Sequence, residues 1–382
     1  MSIEPTTWAE GPAAARDVAL AVLLHGPLSR SEIARRLNLS SGSLTRLSTP
    51  LIESGLLVET GESQAGKAGR PSRPLDVQPD TRHFIGMKLT GNDLQAVVTD
   101  LRATILSSTA VPLASRQPSD VADAIADVTR DLRDSSDKVA ALGVGLGGRV
   151  ASDGTVLSAP FLDWADVALR DMVEDRTSLP TVVQNDVFAF TEAEHWFGAG
   201  RGLNSFAVVT LGAGVGYGLV EHDAIVFNDD AGIGLVGHWP LDPLGPLCPA
   251  GHRGCARSML TQSAITTAIS SGIGRDVEYA EGLQLAEAGD PVARRVVDDA
   301  GRGLGRLLAA IANLAMPQRI ILGGEGVQLL DTAREAVEQG LSRDRDPRAS
   351  ALDLVATPGD GLEWCRGAAV LAIQTHVLGQ VR

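Results

Sequence analysis

Four side chains in the stretch SRSEIARRLNLSSGSLTRLSTPLIESGLLV (29–58) have the chemistry to read a nucleic acid: Ser41, Ser43, Thr45 and Arg46. Small hydroxyls and a guanidinium on one helix face can meet base edges and flanking phosphates in a major groove. Farther on, Lys67, Arg70 and Arg73 place cations in a Gly/Ser-rich run where Pro71 and Pro74 hold the backbone extended. That form suits a minor-groove or phosphate contact. A second chemistry is that of sulfur and imidazole. Cys248 and Cys255 lie close to histidine in a Gly/Pro-rich segment, and with Cys365 the chain has three cysteines, which cannot all pair. Metal ligation is the first expectation for such a cluster.

The elements that must carry the first set can be read from spacing. Ser29 and Glu32 form a capping box, each side chain satisfying the other's backbone N–H at a helix start. Ile33, Ala34 and Leu37 follow at helical intervals, Asn38 to Ser40 supply turn residues, and Leu44, Leu47 and Leu51 give a second helix its inward face. This is the pattern of a helix-turn-helix; an ordinary helical hairpin would share it. A helix over 16–25 precedes the motif. Proline in a helix interior costs ~3 kcal/mol, so Pro50 predicts a bend or a fresh start capped by Ser48 or Thr49, with the recognition helix ending near it. Gly55 stops the helix, and strands at 56–59 and around LDV (75–77) flank the cationic loop as a wing. A flexible linker is the alternative for that loop.

The charge balance restricts where nucleic acid can bind. The 382 residues are 44% hydrophobic with net charge −14, a folded, acidic chain that cannot coat a polyanion over its whole surface. Between 28 and 74, however, Arg30, Arg35, Arg36, Arg46, Lys67, Arg70 and Arg73 outnumber Glu32, Glu53, Glu59 and Glu62. No basic-then-apolar leader run and no apolar run of ~18 residues is present, so the expected location is cytoplasmic, with no membrane partner. From His83 strands alternate with helices, and the strands end in glycine at 145–148, 212–218 and 323–326, as in an α/β body with its site at the strand ends. The expected division is a winged helix-turn-helix over 1–80 and a large two-lobed body over 81–382.

Three stretches, VVQNDVFAFTEAEHWFGAGRG (182–202), LGAGVGYG (211–218) and GHWPLDPLGPLCPAGHRGC (237–255), resemble the ROK family (repressor, open reading frame, kinase), and the winged head is similar to that of its repressor branch. The resemblance covers essentially the whole chain. It implies an actin-like, ATPase-type body of two α/β lobes with a sugar cleft and a carboxy-terminal helix returning to the first lobe. Asp186 falls at the kinases' catalytic base and Asn185 at a sugar contact, although an Asn-Asp pair also caps helices well. The kinases' first phosphate loop resembles DIGGTK, but here 88–93 reads KLTGND, so no ATP binding and no kinase activity are expected.

The sugar and metal positions depart as well. Phe161 stands for an asparagine, and Leu235 and Arg257 stand for two glutamates that would accept sugar hydroxyls. Arg257 raises two alternatives: preference for an acidic or phosphorylated sugar, or a structural salt bridge in a decayed site. The family's structural zinc site, one histidine and three cysteines, aligns with His238, Cys248, Ala250 and Cys255, so one thiolate is missing. His252 is the candidate to replace it; a weakened or empty site is the alternative. His238 could also reach the ligand with its other ring nitrogen. The expected function is a carbohydrate-responsive repressor that binds operator DNA as a homodimer or dimer of dimers, with Asn185, Asp186, His238 and Arg257 facing a sugar-derived effector. An ATP-dependent sugar kinase and a regulator answering only to protein partners are the other two readings.

Overall fold

The computed structural model describes residues 13–61, 73–134, 136–228, 230–359 and 361–379. At the amino-terminal end, α1 (Ala13–His25), α2 (Arg30–Arg36) and α3 (Ser41–Glu53) precede an antiparallel pair, β1 (Leu57–Glu59) and β2 (Leu75–Val77). The capping box forms: Ser29 N–H donates to Glu32 Oε2 at 2.9 Å and Glu32 N–H to Ser29 Oγ at 3.3 Å. Ser40 caps α3 by accepting from Ser43 N–H at 3.1 Å. Val18, Val22, Ile33, Leu44, Leu57 and Leu75 are buried together as the periodicity requires. A backbone bridge from Leu28 to Leu75 stitches the turn between α1 and α2 onto β2.

Pro50 behaves otherwise than its type predicts, because α3 runs through it without a break to Glu53. The residue lies on the exposed face, as does Arg46, whose carbonyl would have accepted the missing N–H bond. Water can take that carbonyl, and the helix is held around it by Thr49 Oγ1–H donating to the Thr45 carbonyl at 2.8 Å. Gly55, at φ 74°, then turns the chain into β1.

The chain forms two compact units, residues 1–146, 150–184 and 365–382 in one, 147–149 and 185–364 in the other. In the first, β3 (His83–Leu89), β4 (Asp93–Thr99) and β5 (Ile105–Pro112) form an antiparallel meander, α4 (Pro118–Asp134) follows, and β6 (Val139–Leu146) pairs parallel to β3. A small sheet of β7 (Arg149–Val150), β8 (Val156–Ala159) and β9 (Trp164–Val167) leads to α5 (Leu169–Thr177), and β10 (Thr181–Asn185) completes the order β10-β6-β3-β4-β5.

In the second unit, α6 (Asp186–Phe197) leads to β11 (Ser205–Leu211), β12 (Val215–Glu221) and β13 (Ala224–Ile225). The helices α7 (Ala256–Leu260), α8 (Gln262–Ile273), α9 (Tyr279–Glu287) and α10 (Pro291–Leu314) come next. Strand β14 (Ile320–Gly323), α11 (Leu329–Thr332), α12 (Arg334–Arg343) and β15 (Leu354–Ala356) close the unit. Its sheet order, β15-β14-β11-β12-β13, has the wiring of the first: a three-stranded antiparallel meander, then a parallel strand beside the meander's first. The duplication is invisible as a sequence repeat because wiring constrains burial pattern, not residue identity.

Helix α13 (Leu362–Leu378) carries residues 365–378 into the first unit. Its backbone lies directly on the sheet, since a Cβ on Gly143 would stand 1.9 Å from the Ala368 carbonyl oxygen. The same unit holds the amino-terminal helices by long-range bonds. Arg102, on the turn between β4 and β5, bonds Asp76 of β2 and the Val22 carbonyl, and Arg16 Nη1–H donates to the Leu378 carbonyl at 3.4 Å. Arg366 in turn holds that β4–β5 turn through the Ala103 carbonyl at 3.1 Å.

Candidate functional site

On α3, Ser41, Thr45 and Arg46 are exposed and Ser43 is half-buried. Two of the hydroxyls are partly engaged: Thr45 Oγ1–H donates to the Ser41 carbonyl at 3.0 Å, and Ser43 Oγ accepts from Ser40 at 2.9 Å. Arg46 makes no side-chain hydrogen bond or ion pair among the described residues. Lys67 and Arg70 lie outside the described residues. Arg73, at the base of β2, pairs with Glu59 at 3.6 Å, and Arg30 pairs with the same carboxylate at 2.7 Å. Hydrogen bonding and charge from Arg30, with a contribution from Arg73, lower the Glu59 pKa. Two guanidiniums on one carboxylate leave this edge of the small sheet cationic.

In the second unit the start of α6 is tied down on both sides. Asn185, not Asp186, is the cap: its amide oxygen accepts from Phe188 N–H at 3.1 Å and its amide nitrogen donates to the Gly148 carbonyl at 3.0 Å. Asp186 is the first residue of the helix, largely buried, with Oδ1 2.8 Å from Val187 N. From here a continuous wall can be followed. A Cβ on Gly216 would meet Val187 Cγ2 at 2.5 Å, so β12 starts against α6. A Cβ on Gly237 would meet the Val215 carbonyl at 3.8 Å and Arg257 Cβ at 3.9 Å, which carries the wall through the short 3-10 turn Leu235–His238 to α7. The loop between β13 and that turn docks back on α6 through Phe227 against Phe188, centroids 5.1 Å apart.

Arg257 is exposed and forms no ion pair or side-chain hydrogen bond among the described residues, so the expected alternative of a structural salt bridge does not form. Burial lowers the pKa of His238, and the charges of His252 and Arg257 lower it further.

In the first unit the stretch 88–93 consumes its own donors. Thr90 N–H donates to the Asp93 carbonyl at 3.0 Å, while Asn92 and Asp93 N–H both donate to Thr90 Oγ1, at 3.1 and 3.0 Å. Arg116, which no motif singles out, covers the turn by donating from Nε to the Gly91 carbonyl at 2.7 Å and from Nη2 to Asn92 Oδ1 at 3.2 Å. Phe161 is exposed in that unit, and its carbonyl would lie 2.6 Å from a Cβ on Gly91.

The cysteine loop gathers a donor set. His238, Cys248 and His252 place their ligand atoms within 4.8 Å of one another. Nδ1 to Nδ1 is 3.0 Å, and Cys248 Sγ lies 3.8 Å from His238 Nδ1 and 3.6 Å from His252 Nδ1. A tetrahedral zinc with bonds of ~2.0 Å to nitrogen and ~2.3 Å to sulfur requires edges of about 3.3–3.6 Å, and shifts of a few tenths of an ångström bring the three donors to that spacing. Cys255 stands beside this group, bonding the Cys248 thiol and, at 3.6 Å, Ser258. Burial pushes the Cys248 thiol up, but bonds from the His252 and Ala250 backbone, the His252 ring and Cys255 outweigh it and bring the pKa to about 7. The thiolate a metal needs is thus within reach at neutral pH.

Two units wired alike, a carboxylate at the start of the helix after the first unit's sheet, and an added helical head define an α/β protein of sugar-kinase type with an amino-terminal extension. The ROK family pattern matches residues 84–375, and the chain belongs to that family. It is 28% identical to the DNA-binding transcriptional dual regulator NagC of Escherichia coli K12 over 317 residues, 79% of this chain and 77% of that one. A crystal structure of a ROK family transcriptional regulator, a homologue of the E. coli MLC protein, superposes with TM-score 0.81 at 25% identity, covering 96% of both chains. A ROK family glucokinase from Streptomyces griseus, solved with glucose and AMPPNP, superposes with TM-score 0.66 at 30% identity, covering 76% of this chain and 99% of that one.

Proposed function

We propose that this protein is a DNA-binding transcriptional regulator, a carbohydrate-responsive repressor whose kinase-like body senses rather than phosphorylates. The observation that carries the reading is the head: the regulator superposes over 96% of the chain where the glucokinase reaches 76%, and the added part presents α3 with an unpaired Arg46 on an exposed face. In this reading α1 to β2 form a winged helix-turn-helix over about the first 80 residues, α3 enters the major groove, and the stretch between β1 and β2 grips phosphate. Operator half-sites one duplex turn apart call for a homodimer, and effector binding shifts the dimer away from that spacing.

Support for a body without kinase activity comes from 88–93. Phosphate binding by a loop needs free backbone N–H groups, and here those of Thr90, Asn92 and Asp93 are already bonded. Zinc, in this proposal, is held by His238, Cys248 and His252 with Cys255 as the fourth donor, and it supplies the loop 238–255 with a structural cross-link.

Gel shifts with DNA from upstream of the protein's own gene test the reading. The expected result is a palindromic site bound in preference to bulk DNA, with affinity falling steeply as salt rises. Binding with no sequence preference overturns it, as does sugar-dependent ADP release that Asp186→Asn abolishes.

A further inference from the structure

The lost phosphate grip argued for 88–93 concerns the first unit, and the second unit has glycine turns of its own. Strands β11 and β14 run parallel as neighbours, so their carboxyl ends, Leu211 and Gly323, open on one edge of the sheet, the edge at which an α/β sheet receives ligands. Two glycine turns meet there. Gly326 N–H donates to the Leu211 carbonyl at 2.8 Å, and a Cβ on Gly324, whose φ is 88°, would stand 2.4 Å from that oxygen. Gln262 ties the turns together, donating its N–H to the Gly212 carbonyl at 3.1 Å and its Nε2–H to the Glu325 carbonyl at 3.0 Å. Gly212 N–H bonds the Gly214 carbonyl at 3.0 Å, but the N–H groups of Ala213 and Gly214 bond no described residue. Free amides flanked by glycine are the donors a phosphate uses.

Beside those donors stands Glu325. Its Oε2 lies 2.6 Å from the place a Cβ on Gly212 would take, so the bare glycine is what admits the carboxylate. The side chain is half-buried and has neither ion pair nor side-chain hydrogen bond among the described residues, so no partner neutralises it. A second anion brought within ~4 Å of it loses roughly tenfold or more in affinity. We propose that Glu325 closes this edge of the second unit to phosphate groups by charge, so that the glycine turns refuse nucleoside di- and triphosphates independently of 88–93. The proposal rests on the reading of a body that senses rather than phosphorylates, and it names the residue that enforces that reading in the second unit.

Isothermal titration of the full chain tests it, with ADP, ATP and inorganic tripolyphosphate as probes, each with and without magnesium. Glu325→Gln keeps the size of the side chain and removes the charge; Glu325→Lys reverses it. The expected result is an affinity gain of roughly tenfold or more from wild type to Glu325→Gln for at least one probe and a further gain in Glu325→Lys, with the unliganded melting temperature of each variant as the control for folding. A Glu325→Gln variant that binds none of the probes better than wild type overturns the proposal. So does binding that Glu325→Gln weakens when magnesium is present, since the carboxylate would then be holding the metal that a phosphate bridges. In either case the reading of a non-phosphorylating body stands if wild type gives no heat with any nucleotide, and falls with the proposal if wild type binds ATP and turns it over in the presence of a sugar.

Discussion

Arg46 is the residue on which recognition of DNA should turn. Its guanidinium is exposed and unpaired, so Arg46→Ala should leave the melting temperature unchanged and weaken operator binding by about 1–3 kcal/mol. If the contact is to a base, discrimination at one operator position relaxes; if to phosphate, the slope of log affinity against log salt falls by about 1. Unchanged affinity would transfer the role to Ser43, Thr45 or the cations beyond β1. A different residue governs the response to acid. Burial, aided by the charge of Arg82, brings His376 down to about 4, whereas in the unfolded chain it titrates near ~6.5. The unfolded state therefore takes up the proton first as pH falls. Stability is fully present above ~6.5 and is lost progressively toward pH 4, by roughly 3 kcal/mol. His376→Gln should flatten that slope in urea titrations. His195 works in the opposite sense: burial lowers its pKa, but Glu192 and Asp223 outweigh that and raise it, so its contribution fades as pH rises, and the wild-type-minus-variant difference is the quantity to read. Residue types made the grouping of His238, Cys248 and His252 legible from sequence. They did not disclose Arg116 or Arg102, since a partner far along the chain leaves no local signal.

Elements were legible where a local rule acts alone. The capping box placed the start of α2, and Leu44 and Leu51 placed the inner face of α3. Pro50 was misjudged because a local rule weighs only the lost i→i−4 bond and the ring's clash, whereas burial of Leu44 and Leu51 on either side of it holds α3 together. The contact between α13 and the first sheet follows a rule of another kind, in which absent side chains let two backbones meet. Gly143→Ala sets a methyl against the Ala368 carbonyl and should cost about 3 kcal/mol in urea unfolding. Attention to the glycines that end the strand at 145–148 passed over Gly143 inside it, whose packing partner lies far along the chain. The cysteine loop gives a prediction of the same scale. Metal analysis of protein purified without chelator should find about one zinc per chain, and His252→Ala should lose it along with part of the loop's stability. Full zinc occupancy in His252→Ala would give the place assigned to His252 to another donor.

For the molecule as a whole, family and fold class were legible because three long motifs kept their residues, while the duplicated five-stranded sheet was not, because its two copies share only wiring. An acidic body with a cationic patch between 28 and 74 should make operator binding more sensitive to salt than to most substitutions in the body. Ligand that binds the folded state alone should raise the melting temperature by mass action, and in a repressor the same ligand should lower operator affinity.

Two of the bonds that steady the head, one directly and one through the β4–β5 turn, come from late in the chain. Arg366 holds the turn that carries Arg102, and the Leu378 carbonyl receives Arg16. A ribosome finishes β10 and then makes roughly 180 further residues before α13 begins to dock, a delay of about 10–35 s at ~5–20 residues per second. During that interval the nascent chain has its amino-terminal helices but lacks the bonds that α13 contributes. The Arg102 bonds and the Leu28–Leu75 bridge can form with the meander, while the bonds to Arg16 and Ala103 wait for α13.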